Sequence, residues 1–336
     1  MTTDPGSSLT NGRRLAMIGA GWISGYHLAA LDRLDRTRLV AVASGSLASA
    51  SAIAGPRRIP AYPIEDLERM LDTDRPEIAF VAVPPAHAVG ILERLVERNI
   101  PFLTEKPLAA LDAAGPTRIA ASIEAAGLVA AVGYHLRGLE ALAEVRDRLA
   151  AQPAQLMTAR WLGDTPPPAW WRHEGTGGGQ VVEQATHFYD LARWLIGEAR
   201  VVGARSTQAT PFVPEGVDLA DATAALLEFD SGAVGSFANT RRLAAAAVAE
   251  VELACPDLLI TIRKLPQAQT TWEVVLDDGQ APRTIPPGRD PYEVQAEAFL
   301  DAVDARDPAR VLSTYADALK TDRLTRSVVA ATGHSG

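Results

Sequence analysis

Four polar side chains stand at spacings that favour proton transfer at a hydroxyl-bearing carbon. Lys106 belongs to the tetrapeptide TEKP, which closes a predicted strand, and open α/β folds hold their ligands at the carboxyl ends of strands. Glu183, His187 and Asp190 follow three glycines at i, i+4 and i+7 of a predicted helix over 180–196, which places them on one helix face. Lysine and histidine can exchange a hydroxyl proton with a substrate, and the carboxylates can orient them.

The same cluster has two further interpretations. A buried hydrogen-bonded network would also put carboxylates and a histidine on a helix that is otherwise rich in apolar residues. A metal site would use the same three side chains, but no second histidine at ligand spacing reinforces it, and we predict no metal. Cys255 is the single cysteine, which excludes an intramolecular disulfide and a cysteine-based zinc site. We expect it to be a small core residue.

A glycine-rich turn near the N-terminus predicts a dinucleotide-binding loop. Gly19 and Gly21 lie between a predicted strand and a predicted helix. The first allows a tight turn, and the second lets the backbone approach a pyrophosphate at the helix N-terminus. Ser24 replaces the third glycine of the fingerprint and is small enough for close packing of helix on strand. Trp22 and Ile23 complete the predicted cofactor-binding loop.

The end of the second predicted strand favours NADP over NAD. An acidic residue there would bind the ribose 2′-hydroxyl of NAD, but the sequence has Ser44, Gly45 and Ser46. Hydroxyl and backbone N–H groups accept a 2′-phosphate more readily than a carboxylate does. Arg57 and Arg58 follow about a dozen residues later and could add positive charge, or could simply be solvated surface arginines.

The elements that must position these residues form two patterns. Over 13–135, continuous apolar runs alternate with helical patterns, which indicates a parallel sheet covered on both faces. We predict an NAD(P)-binding Rossmann domain there, with a doubly wound sheet. Over 136–336 we predict an α+β domain with a large, mostly antiparallel open sheet. Residues 1–12 are predicted to be a disordered lead-in. An open sheet with an apolar face needs a cover, so we expect a homodimer or homotetramer.

Composition narrows the functional class. The 336 residues are 47% hydrophobic and carry a net charge of −9 with no basic block, which argues against nucleic-acid or anionic-membrane partners. No apolar stretch reaches the 18 or so residues of a membrane helix, and the polar N-terminus does not resemble a signal peptide. The sequence therefore predicts a cytoplasmic protein.

Seven short motifs carry a family resemblance, because they occur in order across most of the chain. The chain resembles the glucose–fructose oxidoreductase/inositol dehydrogenase (Gfo/Idh/MocA) family. That resemblance implies a Rossmann domain, an α+β domain whose sheet is used in dimers or tetramers, and NAD(P)-dependent oxidation or reduction of a sugar or cyclitol hydroxyl carbon. The motifs are GAGWISGYH (19–27), VAVPPAH (81–87), TEKP (104–107), VGYHLR (132–137), WWR (170–172), GGGQVVEQATHFYD (177–190) and PYEVQAEAFLDAV (291–303).

The resemblance also implies catalytic roles. Lys106 matches the lysine of the family's EKP motif, His187 the substrate-facing histidine and Asp190 the acid one turn later. Position 183 departs from the family, which more often has aspartate where Glu183 stands, and Ala185 replaces a frequent glycine. The longer Glu183 side chain favours a substrate different from that of the inositol enzymes.

Other matched residues are expected to contact substrate or cofactor. Tyr134 and Arg137 match the GYHxR segment that lines the pocket, and His135 could approach the substrate. Trp171 could stack on a sugar face or plug the core, and Arg172 stands beside it. Towards the nicotinamide we expect Pro84, His87, Glu105 and Lys106, whereas His27 is expected to be packed.

Three functions remain open at this point. The main hypothesis is hydride transfer between a nicotinamide and a carbinol or ketone carbon of a sugar, a sugar derivative or a cyclitol. A second uses transient oxidation at C3 of a glycoside to permit cleavage without net redox change, with Glu183 or His187 as the base. The third is a non-catalytic dinucleotide-binding sensor, which the presence of Lys106 and His187 disfavours.

Overall fold

A computed structural model of the chain describes residues 12–208, 216–265 and 271–333. The predicted lead-in over 1–12 lies, except for Gly12, outside the described residues. The chain forms two compact units. The first contains the described residues up to Glu105 together with Ala114–Gly133 and Tyr292–Tyr315, and the second contains Lys106–Ala113, Tyr134–Pro291 and the described residues from Ala316 onward.

Six parallel strands form the sheet of the first unit. They are β1 Arg13–Ile18, β2 Thr37–Ser44, β3 Ala61–Pro63, β4 Ile78–Val81, β5 Phe102–Thr104 and β6 Ala130–Val132, and the intervening helices are α1 Trp22–Leu34, α2 Leu47–Arg57, α3 Leu67–Asp74, α4 Pro85–Glu97 and α5 Gly115–Ala126. Their order is β3-β2-β1-β4-β5-β6, the Rossmann order. All four residues of β4 are buried, as in a sheet covered on both faces. The predicted parallel, doubly wound fold is confirmed.

Eight strands form the sheet of the second unit. They are β7 Leu156–Leu162, β8 Ala199–Thr207, β9 Ala222–Phe229, β10 Val234–Thr240, β11 Val248–Cys255, β12 Leu258–Lys264, β13 Trp272–Asp277 and β14 Arg283–Ile285. The order is β14-β13-β12-β11-β7-β10-β9-β8. Every pairing is antiparallel except that of β7 with β10. The predicted large, mostly antiparallel sheet is confirmed.

Helices cover one face of this second sheet. Residues of α6 Leu142–Ala151, α8 Gly179–Glu183 and α9 Thr186–Leu195 share a core with the buried strand residues, and the short α7 Glu174–Gly177 precedes α8. Strand β11 alternates buried and half-buried residues along its whole length, so one face of the strand is the core face. Tyr189 of α9 stacks on Phe237 of β10 with ring centroids 4.5 Å apart. Cys255 is buried at the end of β11, consistent with the expected core role.

The last two helices divide between the units, which differs from the predicted limit at 135/136. They are α10 Pro291–Ala305 and α11 Tyr315–Ala331. In the first unit, Phe299 of α10 meets Phe80 of β4 with ring centroids 5.4 Å apart, and Asp304 pairs with Arg13 at 2.5 Å and with Arg36 at 2.6 Å. These contacts join residues far apart in sequence, so periodicity alone does not reveal them. Within the described ranges, no helix combines the length and apolarity needed to cross a bilayer.

Candidate active site

The glycine turn of the first unit has the shape that a dinucleotide needs. Gly19 has a φ of +108°, and a Cβ there would lie 2.0 Å from the carbonyl oxygen of Ala82, so only glycine fits. A Cβ on Gly21 would meet nothing within 4 Å. Gly21 is the N-cap of α1, and helix N-termini leave N–H groups without an intrahelical partner. The open backbone and the helix N-terminus therefore fit a pyrophosphate.

The residues around this turn are placed as its fingerprint requires. Ser24 is fully buried, and its Oγ donates to the carbonyl oxygen of Gly19 over 3.0 Å. This hydrogen bond closes the turn where the fingerprint has its third glycine. Trp22 remains 65% exposed and Ile23 is half-buried. Both stand in the first turn of α1, beside the proposed phosphate position.

The second strand ends in hydroxyl-bearing residues. Ser44 is buried at the end of β2, and Gly45 is exposed. Ser46 is the N-cap of α2, and its Oγ accepts from the backbone N–H of Ser49 over 3.2 Å. The segment from Ser44 to Ser46 therefore presents hydroxyl and backbone groups and no carboxylate.

Towards the end of β5, Glu105 is held by a buried histidine. The ring Nε2 of His27 and Oε1 of Glu105 lie 2.8 Å apart, and His27 is only 1% exposed. A Cβ on Gly133 would lie 2.7 Å from the same carboxylate oxygen. His27 is thus packed, as expected, and Glu105 is fixed by groups within the first unit. In α4 the predicted cofactor residue His87 is exposed, and Pro84 is half-buried at the N-cap.

The predicted helix over 180–196 is broken, and this correction shapes the site of the second unit. It forms two helices, α8 ending at Glu183 and α9 beginning at Thr186. The N–H of Ala185 donates to the carbonyl of Gln180 over 2.9 Å, one residue further than the α-helical pattern allows. This wide turn ends α8, so Glu183 and His187 do not share one helix face. It also leaves the Glu183 carbonyl free for a side-chain donor.

Lys106 is the side-chain donor to this free carbonyl of Glu183. Its Nζ donates to the backbone carbonyl of Glu183 over 2.6 Å and to the carboxylate Oε1 over 2.9 Å. The indole N–H of Trp171 donates to the other carboxylate oxygen, Oε2, over 2.7 Å. Trp171 is 2% exposed, so it anchors Glu183 from the core. Lys106, Glu183 and Trp171 thus form one charge-balanced cluster.

His187 lies in the same unit and forms an aromatic wall with the rings of Trp161 and His135. Its ring stacks on Trp161 with centroids 6.0 Å apart and lies 4.7 Å from the ring of His135. Burial, followed by the charges of His135, Lys106 and Lys264, lowers the pKa of His187 well below its usual value. A neutral imidazole carries one ring nitrogen that accepts a hydrogen bond. His187 is therefore neutral in the folded protein, with one ring nitrogen able to accept a hydrogen bond.

Tyr134 supports the first turn of α9. Its hydroxyl and Thr186 Oγ1 lie 2.9 Å apart, and its ring meets His187 edge-on at 5.9 Å between centroids. Burial, assisted by the charge of Asp190, raises the pKa of Tyr134. The phenol stays protonated, so it can position groups but is unsuited to act as a base.

Asp190 and Arg137 pair with each other and with side chains of α11. Arg137 donates to both carboxylate oxygens of Asp190, over 2.7 and 2.6 Å, and also to Asp317 over 2.6 Å. Thr321 of α11 donates to Asp190 over 3.1 Å. These predicted substrate residues therefore form a buried ion-pair network with α11. Arg172, the remaining predicted substrate residue, is exposed.

Sequence reasoning missed Trp161. In β7 the buried residues Met157 and Ala159 alternate with more exposed ones, which puts Trp161 on the same inward face near the strand end. That alternation was the signal that could have found it. In the part of the chain that the structure describes, no group of three His, Cys, Asp or Glu side chains could hold a metal ion.

Comparison with known proteins identifies the family. A profile described as the oxidoreductase family with an NAD-binding Rossmann fold matches residues 13–134. A profile of the GFO/IDH/MocA C-terminal domain matches residues 154–262. The chain belongs to the GFO/IDH/MocA oxidoreductase family. It is accordingly an NAD(P)-dependent dehydrogenase or reductase of the CH–OH class.

Three similar proteins of known name are each less than 30% identical to this chain. The rhizopine catabolism protein MocA of Rhizobium meliloti is 27% identical over 233 residues, covering 68% of this chain and 71% of that protein. The scyllo-inositol 2-dehydrogenase (NAD(+)) of Bacillus subtilis is 25% identical over 235 residues, covering 68% and 67%. A solved structure of levoglucosan dehydrogenase with NADH and L-sorbose aligns with a TM-score of 0.83 over 96% and 97%, at 18% identity. That likeness shows a shared fold.

Proposed function

We propose that the substrate is a polyhydroxylated ring, namely a sugar, a sugar derivative or a cyclitol, and that Lys106 and His187 exchange the proton of its reacting hydroxyl. The observation that carries the proposal is the arrangement in the second unit, where the Lys106–Glu183 ion pair of 2.9 Å accompanies a neutral, buried His187. The named activities of the inositol dehydrogenase and levoglucosan dehydrogenase relatives support this substrate class.

The chain's own residues would act on the hydroxyl group. The nicotinamide, when bound, supplies or takes up the hydride. As a carbinol is oxidised its hydroxyl proton must leave, and neutral His187 has the nitrogen lone pair to accept it. The Lys106 ammonium stabilises negative charge that develops on the same oxygen. Glu183 holds Lys106 in place through its carbonyl and carboxylate.

Replacing Lys106 by Met tests this assignment. The variant loses the ammonium but keeps most of the side-chain length, so we expect kcat to fall about 10²–10⁴-fold with cofactor affinity unchanged. Steady-state assays with a panel of sugars and cyclitols, beside a fluorescence titration of NADPH, measure both quantities. Lys320→Met is the matched control, because Lys320 is an exposed lysine paired with Glu198 over 3.2 Å. Near-normal turnover of Lys106→Met would sink the assignment.

A second candidate uses the same side chains for redox-neutral glycoside cleavage. Two groups here can act as bases, the Glu183 carboxylate and neutral His187, where simple dehydrogenation requires one. Oxidation at C3 of a glycoside acidifies the neighbouring C–H bond, so the second base could remove that proton and drive elimination of the aglycone. Water then adds to the unsaturated ketone, and the reduced cofactor returns the hydride to C3. The stoichiometry of the cofactor separates the two candidates. Cleavage with catalytic cofactor favours this one, and stoichiometric reduction favours the dehydrogenase.

We also propose that the cofactor is NADP in preference to NAD and that the enzyme is cytoplasmic. Support for NADP comes from the end of β2, where Ser44, Gly45 and Ser46 offer hydroxyl and backbone groups in place of a carboxylate. A carboxylate there would repel a 2′-phosphate.

We propose, in addition, that the outer face of the eight-stranded sheet pairs with a second copy of this chain. Leu156, Leu226, Val234 and Leu259 are between 38% and 54% exposed on that face. Val234 lies opposite Leu156 across β10 and β7, so the apolar side chains adjoin. Ion pairs of Arg160 with Glu250 and of Arg200 with Glu228 add both signs of charge, as a self-complementary interface requires.

A further inference from the structure

Lysine occupies only three positions in this chain, against 29 arginines. Lys320 is on the surface, paired with Glu198. The other two, Lys106 and Lys264, both carry charges that act on His187. Lys106 is neutralised by Glu183 at 2.9 Å. Lys264, the remaining lysine, ends strand β12 of the second sheet.

Lys264 lies on the inward face of the second sheet. It is the last residue of β12, in which the inward residues Ile260 and Ile262 are both fully buried. Strand alternation places Lys264 on the same face. A packing role alone would favour an apolar residue at this position, yet the strand ends in an ammonium group.

Trp272 extends the aromatic wall from Trp161 and His187 towards Lys264. Lys264 is directly opposite Trp272 in the β12–β13 ladder, and Trp272 is 3% exposed. The rings of Trp272 and Trp161 are 6.5 Å apart, and Trp161 stacks on His187. Lys264 and His187 thus lie at two ends of one wall within the second unit.

Nothing in the described part of the chain neutralises Lys264. No described carboxylate lies within 4.0 Å of its Nζ, whereas Lys106 and Lys320 each have such a partner. The segment that follows, 266–270, contains no acidic residue. Lys264 is half-buried, and burial lowers its pKa. Keeping an unpaired ammonium in this position costs free energy that a bound anion would offset.

The charges of the side chains around the aromatic wall also favour an anionic ligand. The Lys106–Glu183 pair is neutral as a unit, and His187 carries no charge when unprotonated. Among these side chains, the charge that remains is the positive charge of Lys264. A ligand that neutralises Lys264 and places its reacting hydroxyl near His187 therefore carries a negative group at one end and that hydroxyl at the other.

We propose that Lys264 is a specificity-determining residue that binds an anionic substituent, a carboxylate or a phosphate, on the polyhydroxylated substrate. This inference rests on the proposed function and deepens it, because it makes the substrate an acidic or phosphorylated sugar or cyclitol. Lysine suits the task, since it is a compact point charge on a flexible stem that can follow an anion's position.

Calorimetric titration of the full chain saturated with NADPH tests the proposal, because hydroxyl compounds then bind without being oxidised. The probes are glucose, glucuronate and glucose 6-phosphate. We expect one of the anionic probes to bind at least about tenfold more tightly than glucose, the gain typical of a hydrogen bond to a charged group. Which probe gains distinguishes a carboxylate from a phosphate.

Three variants locate the effect. Lys264→Met should abolish the preference while leaving glucose affinity unchanged, which also verifies that the variant folds. Lys264→Arg keeps the charge and should retain the preference within about threefold, and Lys320→Met should match the wild type. The proposal is overturned if neither anion is preferred or if the preference survives in Lys264→Met. Failure of the proposed function shows elsewhere, as turnover that does not depend on Lys106, and leaves this binding comparison intact.

Discussion

Glu183, the last residue of α8, joins the segments that carry Lys106 and Trp171. Its carboxylate accepts from Lys106 and from the indole of Trp171, and its carbonyl accepts a second bond from Lys106. Charge-assisted hydrogen bonds of this kind are stronger than neutral ones. A shift of the Glu183 side chain would therefore move the ammonium that the proposed reaction uses, even though Trp171 itself lies in the core.

Removing the Trp171 indole donor should therefore impair catalysis more than folding. In Trp171→Phe the aromatic packing is largely kept, but Glu183 Oε2 loses its partner. We expect kcat to fall about tenfold, with destabilisation limited to about 1–3 kcal/mol, the cost of a buried unsatisfied group. Steady-state kinetics and urea unfolding measure the two effects. Trp170→Phe is the control, because the neighbouring tryptophan is half-buried and makes no bond to Glu183. Equal losses in both variants would contradict the role given to Trp171.

The neutral His187 predicts a pH dependence of stability. Burial lowers the folded-state pKa of His187 well below the usual histidine value of about 6.5. Below about pH 6.5 the unfolded chain binds a proton at this residue that the folded chain does not bind, so the free energy of unfolding falls as the pH falls. One group contributes at most about 1.4 kcal/mol per pH unit.

Urea unfolding at about pH 7.5 and about pH 5.5 measures this contribution. The wild type should lose more stability over that interval than His187→Asn, which cannot take up the proton. His173→Asn provides the control, since the His173 side chain is 52% exposed. The same loss in the wild type and in His187→Asn would refute a buried neutral histidine.

The candidate site could be predicted from sequence only where it depends on local context. Lys106 and Glu183 stand out beside a strand end and a glycine run, and the structure joins them. The partners of Asp190 were not predictable, because Thr321 is 131 positions away and no local pattern connects them. The break at Ala185 was equally hidden, since the residues around it favour a continuous helix and the wide turn is set by packing.

At the scale of elements, the proposed preference for NADP depends on the end of β2. The end of β2 lies beside the glycine turn, because β2 pairs with β1 in parallel. Gly45 is exposed, and a Cβ there would meet nothing within 4 Å. The position therefore accepts a side chain without strain, and its chemistry can be changed independently of the fold.

Gly45→Asp should reverse the cofactor preference. In the wild type we expect NADPH to bind about tenfold more tightly than NADH, because the hydroxyl and backbone groups there accept a 2′-phosphate. The new carboxylate would repel that phosphate and accept a hydrogen bond from a 2′-hydroxyl. Fluorescence titration with each reduced cofactor measures both affinities. Gly55→Asp is the control, because it adds the same charge at another exposed glycine of the first unit. Tighter NADH binding in the wild type would show that the missing carboxylate was misinterpreted.

Elements with a strong burial pattern were predictable, and edge elements were not. Strands β1, β2 and β4 are continuous apolar runs, which both faces of a covered sheet require. Strand β8 is not evident from the sequence, because it is an edge strand with a single buried residue, Ala204, and a register shift between Val201 and Gly203. With so little burial, its sequence carries no clear alternation.

At the scale of the whole molecule, chain order and packing diverge. The first unit takes back Tyr292–Tyr315 after the chain has built the eight-stranded sheet of the second unit. Lys106 belongs to the second unit although it follows β5 of the first. The units therefore cannot be produced by cutting the chain once, and a fragment ending near residue 135 lacks the α10 helix that buries Phe80.

The proposed oligomer uses the outer face of the eight-stranded sheet, which the described residues leave exposed. Several large apolar side chains are exposed on it, Leu226 and Val234 at 54% and 50%, and burying each in an interface contributes about 1.5–3 kcal/mol at most. We expect the wild type to elute at a multiple of its 35.7 kDa chain mass. Leu226→Asp with Val234→Asp should shift it towards that mass, because two copies would bring like charges together in a dry contact.

Light scattering coupled to size exclusion measures the mass, and circular dichroism verifies that the double variant is folded. Leu47→Asp is the matched control, since Leu47 is 52% exposed on α2 of the first unit and does not belong to the eight-stranded sheet. A wild type that is monomeric at micromolar concentration would refute the interface. An oligomer unaffected by the double variant would assign the contact to another surface and leave the apolar face of the sheet without its proposed partner.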